Sequence, residues 1–493
     1  MTWSDFATVA PFAAAVAVAA LVIVADIVWP GNRHLALGVA LAGLVGVGAL
    51  TLWTGQSPGT AFGGMYKVDN LTTFLDTIFV AIAAITCLFA PDYLEPRGLP
   101  VPEFAAILVF ALSGAMLVSA SADLIVLFVG LELMVIPGYL LAGYHKRDAL
   151  STEGAIKYFL LGSFSSAIFL FGLAYIWGLT GSTRIADVAA RIGAVVAGQA
   201  PLSPGLAMGL AFLTTGVAFK MAAVPFHYWT PDAYQGSPTP VTGYLSVGPK
   251  VGAFAVVLRV FAEALLPLRQ EWVIVFFVLA ALTMTLGNLV ALTQDNVKRM
   301  LAYSSIAHTG YMLVGLAAYA AGVLQGLEGL LFYGAAYAFM NLGAFAVIAA
   351  LQKRPGVSSR LETFAGLGRR EPALGLLMVL FLLSLTGIPP TAGFFAKAYV
   401  ILAAVQAGGW LTALAVIAVL NAAMAAFYYL RVIVYMYMRD PPGEPAPVGH
   451  GALLRLGLAI TAVMTVVLGL FPGLILTSVS SAAQAIGVAV AIR

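Results

Sequence analysis

Charge is scarce in this chain. Of its 493 residues, 9% are Asp, Glu, Lys or Arg and 61% are hydrophobic, whereas a soluble domain carries about a quarter charged residues. That shortage excludes an ordinary water-facing surface. There is one cysteine, Cys87, so no disulfide framework and no thiolate metal cluster can form within the chain. No second His, Cys or carboxylate stands at ligand spacing from His308, so no metal site is expected. The net charge is only +3, and the basic residues form no run that would track phosphates, which argues against a nucleic-acid partner. There is no G-x-G-x-x-G after a strand and no cysteine set, so neither a dinucleotide nor an iron–sulfur cluster has a home here. The start, MTWSDFATVAPFAAA, lacks a basic region, and its apolar run is read as a real span rather than a cleaved signal.

What the chain has instead is apolar runs of roughly 20 residues separated by short joints, the pattern of helices that cross a bilayer. Fourteen are expected, near 9–29, 35–54, 71–90, 104–120, 122–143, 153–178, 205–227, 240–265, 271–293, 301–318, 324–351, 373–402, 409–438 and 452–476. The largest polar segment is KRPGVSSRLETFAGLGRREP, at 353–372, too short to be a soluble domain. The expectation is one all-α polytopic membrane domain. Basic residues set its orientation. Joints after odd-numbered spans hold Arg33, Arg97, Lys146, Arg147, Lys298, Arg299, Lys353, Arg354, Arg360, Arg369, Arg370 and Arg439, while the other side holds Lys67, Arg184, Arg191 and Arg269. The first set should be cytoplasmic, which puts both termini outside, in the periplasm of a bacterial host.

An internal repeat runs through the chain. Glu132 in the fifth span and Lys220 in the seventh are 220 − 132 = 88 residues apart. His308 in the tenth and Lys397 in the twelfth are 397 − 308 = 89 apart. Each lysine lies beside a Pro/Gly break, VPFHYWTP or GIPPTAGFF. Spans four to eight therefore resemble spans nine to thirteen. Five is odd, so the copies must be inverted, and inverted repeats with broken helices are a transporter signature. The expected segments are 1–100 (N-terminal helices), 101–267 (first repeat), 268–440 (second repeat) and 441–493 (a C-terminal helix), with helices 7 and 12 broken.

Four of the eight lysines fall inside spans: Lys157, Lys220, Lys250 and Lys397. The arginines fall in joints or nearer span ends, as Arg259, Arg431 and Arg455 do. Arginine cannot release its proton, whereas a desolvated lysine can. A charge at the bilayer centre costs at least ~3 kcal/mol, so four such lysines suggest work rather than decoration. A lysine can also simply snorkel. Glu132 is the natural partner of Lys220, either as a switch that tunes its proton affinity or as a static pair. Glu153 and Lys157, four apart on one helix, can pair structurally or conduct protons. His308 can relay protons or simply be hydrogen-bonded. Backbone freed at Pro225 is tolerated only inside protein or beside a wet cavity. His227, Trp229 and Asp232 at that break read as hinge and interface groups.

The stretch FKMAAVPFHYWTPDAYQGSPTPVTGYLSVGPK (219–250), with LELMVIPGYLL and EGAIKYFLLGSFSSAIFLFG upstream, resembles the antiporter-like membrane subunits of respiratory complex I, the proton-pumping NADH:quinone oxidoreductase. The resemblance covers roughly spans four to thirteen. The lysine in GIPPTAGFFAKAYV, the SSIAHTGYML segment and the lack of a long lateral helix are most similar to subunit N. The resemblance implies that Lys220 and Glu132 form the central pair, that Lys250 links two half-channels, and that Lys397 serves the second. His308, Lys157 and Glu153 complete the expected proton path. It also implies other complex I membrane subunits and the lipid bilayer as partners and the bacterial inner membrane as location. NADH, flavin, iron–sulfur clusters and quinone would be bound by other subunits, and quinone contact here stays open. Rivals are a subunit of a multi-component Na⁺/H⁺ antiporter or membrane hydrogenase, a free-standing secondary transporter, and a structural spacer.

Overall fold

The computed structural model describes residues 3–198, 202–441 and 449–491. Nineteen α-helices and one small β-ribbon make up the described chain. Helices α1 (Trp3–Val28) and α2 (Arg33–Thr54) lead to a hairpin of β1 (Gly59–Ala61) and β2 (Tyr66–Val68), paired antiparallel with Gly59 opposite Val68. Then come α3 (Asn70–Leu94), α4 (Val101–Ser119), α5 (Leu124–Ala142), α6 (Ala149–Thr180) and the short α7 (Ile185–Ala197). Helices α8 (Pro204–Lys220) and α9 (Trp229–Gly236) flank a break, and α10 (Thr239–Val257) runs into a π-helical turn, Leu258–Ala264. The rest are α11 (Arg269–Ala291), α12 (Val297–Ala320), α13 (Leu324–Leu351), α14 (Leu367–Arg370), α15 (Pro372–Thr386), α16 (Ala392–Ala407), α17 (Thr412–Met438), α18 (Ala452–Leu470) and α19 (Gly473–Ala491).

Short polar residues start these helices where the joints predict. Side chains of Asp69, Asp123, Asp148, Ser203 and Asn296 accept hydrogen bonds from first-turn N–H groups of α3, α5, α6, α8 and α12, satisfying donors that have no partner inside the helix. Among the described residues, eleven helices are long and apolar enough to cross a membrane. Helix α10 is buried on every side, and α12 and α13 nearly so. Helices α1, α6 and α17 expose large apolar side chains such as Leu21, Phe164 and Leu420, a surface suited to lipid rather than water. The chain is thus an all-α polytopic membrane protein.

Beyond the short α9 and α14, which also lie outside the fourteen expected spans, two longer helices were not expected. Helix α7 is amphipathic, burying Ile185, Val188 and Ile192, and at 13 residues it is too short to span. The expected single C-terminal helix is instead α18 and α19, parted at Phe471-Pro472-Gly473, where proline has no N–H to continue the ladder. Helix α19 buries Val479, Ala482, Ala483 and Ile486, one face at helical spacing.

Two short backbone bridges recur. Leu124 N–H donates to Thr183 O (2.8 Å) and Ile185 N–H to Ala122 O (3.0 Å), tying the start of α5 to the segment after α6. Val297 N–H donates to Ser359 O (2.8 Å) and Leu361 N–H to Asp295 O (2.8 Å), tying the start of α12 to the segment after α13.

Basic residues gather in two places. Lys67, Arg184 and Arg269 line one cavity. Arg97 donates to the carbonyls of Gln352 and Arg354, and Lys353 pairs with Asp92, far along α3 from that cavity. Arg259, which the sequence places nearer a span end, is fully buried in the π turn. It forks onto Asp69 (2.8 and 2.9 Å) and reaches Glu263 (2.5 Å), which also takes Lys67 (2.7 Å). Burial pushes the Asp69 carboxyl up, but the Arg259 charge and hydrogen bonds outweigh it and hold the group well below the usual carboxylate range.

Candidate functional site

Helix α8 ends on Lys220 because the next residues cannot continue it. Ala222 adopts φ +60°, a left-handed conformation uncommon for alanine, and Pro225 lacks a backbone donor. The freed backbone groups find partners from three directions. Trp229 donates its indole N–H to Phe219 O (3.1 Å), Thr309 of α12 donates to Met221 O (2.8 Å), and Val224 N–H donates to Thr283 Oγ1 of α11 (3.0 Å). The break is therefore a built feature within protein, as backbone at membrane depth requires.

Lys220 Nζ lies 3.6 Å from Glu132 Oε1, with side chains 3% and 24% exposed. A third residue stands between them. The Lys220 ammonium donates to Ser166 Oγ (2.7 Å), and Ser166 donates its one hydroxyl proton to Glu132 Oε1 (2.5 Å). The unit is a lysine–serine–carboxylate chain drawn from α8, α6 and α5. Sequence reading found its ends and missed its middle. The available signal was the SFSS run at 163–166 in an apolar helix.

Lys250, on α10, donates to the carbonyl and to Oγ (2.7 Å) of Ser305 and lies 5.9 Å from the Tyr337 ring centroid. Ser305 O also lies 3.3 Å from Thr309 Oγ1, whose one hydroxyl proton goes to Met221 O. One turn of α12 thus joins the Lys250 site to the break after Lys220. His308 shares that face of α12. Its Nδ1 lies 2.6 Å from Tyr333 OH and its Nε2 lies 3.2 Å from Tyr429 OH, which also bonds Ser304. These tyrosines come from α13 and α17, and no spacing in the sequence marks them as partners of His308.

Lys397 follows its break on α16, whereas Lys220 precedes its own. Its ammonium donates to Leu385 O (2.9 Å) and Thr386 O (2.8 Å), the open carbonyls at the C-terminus of α15, where a cation is favoured by the helix dipole. The ring centroid of Tyr311 is 4.8 Å away, and Tyr311 in turn lies 6.0 Å from the His308 ring. Lys250, His308 and Lys397 are therefore successive members of one buried cluster around α12.

Lys157 is not in that cluster. It is 43% exposed, pairing with Glu153 (2.6 Å) along α6 and with Asp232 (2.7 Å) of α9. Asp232 also takes Arg299 (2.7 Å), so it fastens α9 to α6 and to α12. Asp232, read from the sequence as a hinge or interface group, is thus an ion-paired contact among three helices. A fourth buried lysine corrects the expected joint position of Lys298. It lies in the first turn of α12, 3% exposed, and donates to Ser237 O (2.5 Å) at the end of α9. A dibasic pair before a span reads as a surface anchor, and only the re-entry of α9 covers this one. Among the described residues no group of three His, Cys, Asp or Glu is placed to hold a metal.

Comparison with known proteins identifies the family. The family described as NADH:quinone oxidoreductase/Mrp antiporter, transmembrane, matches residues 121–422. The chain is 42% identical over 451 residues to NADH-quinone oxidoreductase subunit N of Trichlorobacter lovleyi, covering 91% of this chain and 90% of that one. It is also 42% identical over 470 residues to subunit N of Chloroflexus aggregans, covering 95% of each. A chain of respiratory complex I from Thermus thermophilus with bound aureothin superposes with a TM-score of 0.79 at 33% identity, over 96% and 99% of the two chains. A chain of the archaeal membrane-bound sulfane sulfur reductase superposes at 0.84, but at 24% identity it shows the fold alone. The profile match over more than half the chain and the near-full-length identity to subunit N settle the assignment: this chain belongs to the NADH-quinone oxidoreductase subunit N family, within the antiporter-like membrane proteins.

Proposed function

We propose that this chain is a proton-translocating membrane subunit of an NADH:quinone oxidoreductase, moving protons through buried Lys, Glu and His groups while the redox chemistry proceeds in other subunits. The observation that carries the site assignment is the Lys220–Ser166–Glu132 chain at a helix break. A lysine held near, but not locked onto, its carboxylate by a hydroxyl is poised to lose its proton when the carboxylate moves away. Lys250 links that pair to His308, and Lys397 ends the path beside the second break. Glu153 and Lys157 lie at the edge of the path and take part through Asp232.

The chain crosses the inner membrane fourteen times, with both termini in the periplasm. Spans four to eight and nine to thirteen form two inverted copies, over 101–267 and 268–440, with 1–100 and 441–493 as flanks. The paired bridges at Asp123/Arg184 and Asn296/Arg360 support that reading, since each stands at the same point of its copy. NADH, flavin, iron–sulfur clusters and quinone belong to other subunits of the complex. The face of α5 and α6 receives one such subunit. Glu132 is partly exposed there, with Glu153 at 56% and Lys157 at 43%, and charges left against lipid would cost several kcal/mol.

The test is Lys220→Arg. Arginine keeps the positive charge but cannot be deprotonated. The variant should assemble, yet pump poorly and lose coupled quinone reductase activity, measured in membrane vesicles and normalised to assembled complex. Pumping at the parental rate would leave Lys220 as a static ion-pair partner and overturn the proposed role.

A further inference from the structure

Two hollows meet at the N-terminus of α11. One is an open groove of 760 Å³ between α11 and the α16–α17 turn, walled by Val273, Ile274, Phe277, Val278 and Trp410. The other is a cavity of 1040 Å³ beside α7 and the π turn, with Lys67, Arg184 and Glu271 among its lining residues. Arg269 and Gln270 line both.

Lys67 pairs with Asp69 and Glu263 and Arg184 donates to Gly63 O, but two charged groups at this junction are left open. Arg259, Arg299, Arg369 and Arg431 are each ion-paired, but the Arg269 guanidinium has no hydrogen-bond or ion-pair partner among the described residues. One oxygen of Glu271, Oε2, is buried without a hydrogen bond. Below Arg269 the groove is apolar and faces outward from the bundle. Ile274 is 57% exposed, and Trp410 is half-exposed with its ring 4.8 Å from Phe277. Tryptophan favours the boundary between headgroups and acyl chains.

We propose that these joined hollows bind one phospholipid. Its phosphate sits on Arg269, whose planar donor fork suits an oxyanion in two-bonded contact. The headgroup reaches into the larger cavity, where Glu271 accepts from its hydroxyl or ammonium. An acyl chain lies along Ile274, Phe277 and Val278 under Trp410. An uncharged quinone would fill the groove but leave the guanidinium unmatched.

The experiment uses the assembled complex in native membranes, labelled with phosphatidylglycerol carrying a diazirine in its acyl chain, with cross-linked peptides mapped by mass spectrometry. Peptides containing Phe277 or Trp410 should be labelled. Arg269→Gln should reduce that labelling about tenfold, the order expected for loss of a charge-assisted bond. Ala321→Phe, which fills the groove from an exposed wall position, should reduce it as well. Arg354→Gln, an exposed arginine on the opposite side, should leave it unchanged. Equal labelling of Arg269→Gln and the parent overturns the proposal. So does absence of label because a neighbouring subunit covers the groove, or stronger labelling of the same peptides by a photoactivatable quinone.

Discussion

At the scale of single residues, the hydroxyl of Ser166 is the most testable addition to the charge pair. Among the described residues it is the one group that links Lys220 and Glu132 within hydrogen-bond distance, since their direct separation is 3.6 Å. Ser166→Ala should therefore slow proton translocation several-fold while leaving assembly intact, and Ser166→Thr, which restores a hydroxyl, should recover most of it. Translocation measured in vesicles at the parental rate for Ser166→Ala would remove the serine from the path. Glu132→Asp keeps the charge with shorter reach and should retain partial pumping. Glu132→Ala strands a buried ammonium, a change that costs about 3–5 kcal/mol when the pair is fully buried, and should impair pumping far more. Lys397 differs in kind, because it caps two carbonyls of α15. Arginine can make the same contacts, so Lys397→Arg should reduce pumping less than Lys220→Arg in the same assay. A larger loss at Lys397 would mean that this lysine too must release its proton.

The helix breaks are the elements on which these residues depend. Thr283→Val removes the acceptor of Val224 N–H and leaves a buried donor unmatched, at a cost of about 1–3 kcal/mol. Its signature should be a lower unfolding temperature of the purified complex, with Thr283→Ser close to the parent. The second break is sterically closed. A Cβ on Gly393 would collide with the carbonyl of Ser384, whereas one on Gly178, on α6, meets nothing within 4 Å. Gly393→Ala should thus push α16 off α15, destabilising by about 1–3 kcal/mol as overpacked cores do, and reduce pumping by displacing Lys397. Gly178→Ala should be neutral in both measurements. Pro and Gly clusters announced both breaks in the sequence. What answers the freed backbone, Trp229, Thr283 and Thr309, comes partly from other helices and has no local signature.

For the whole molecule, topology gives the broadest prediction. Reporter fusions at Arg360 should read cytoplasmic and fusions at the C-terminus external, and the reverse pattern would reject the orientation or the span count. The sequence by itself determined the all-helical membrane class, because 61% hydrophobic content in runs of bilayer length permits no other way to satisfy the backbone in lipid. It also determined which titratable residues were out of place, since Lys220, Lys250, Lys397, His308 and Glu132 stand out against apolar neighbours. Only the tertiary structure decided which of them meet. Contacts such as Ser166 to Lys220, Tyr333 and Tyr429 to His308, and Ser237 to Lys298 join helices separated by 25 to 121 positions. Periodicity along one helix carries no information about the face its neighbour presents. The same limit hid the burial of Lys298 and the pairing of Arg259 with Asp69. Each depends on which segment folds back over which, a choice made by packing across the bundle and not by any local run of residues.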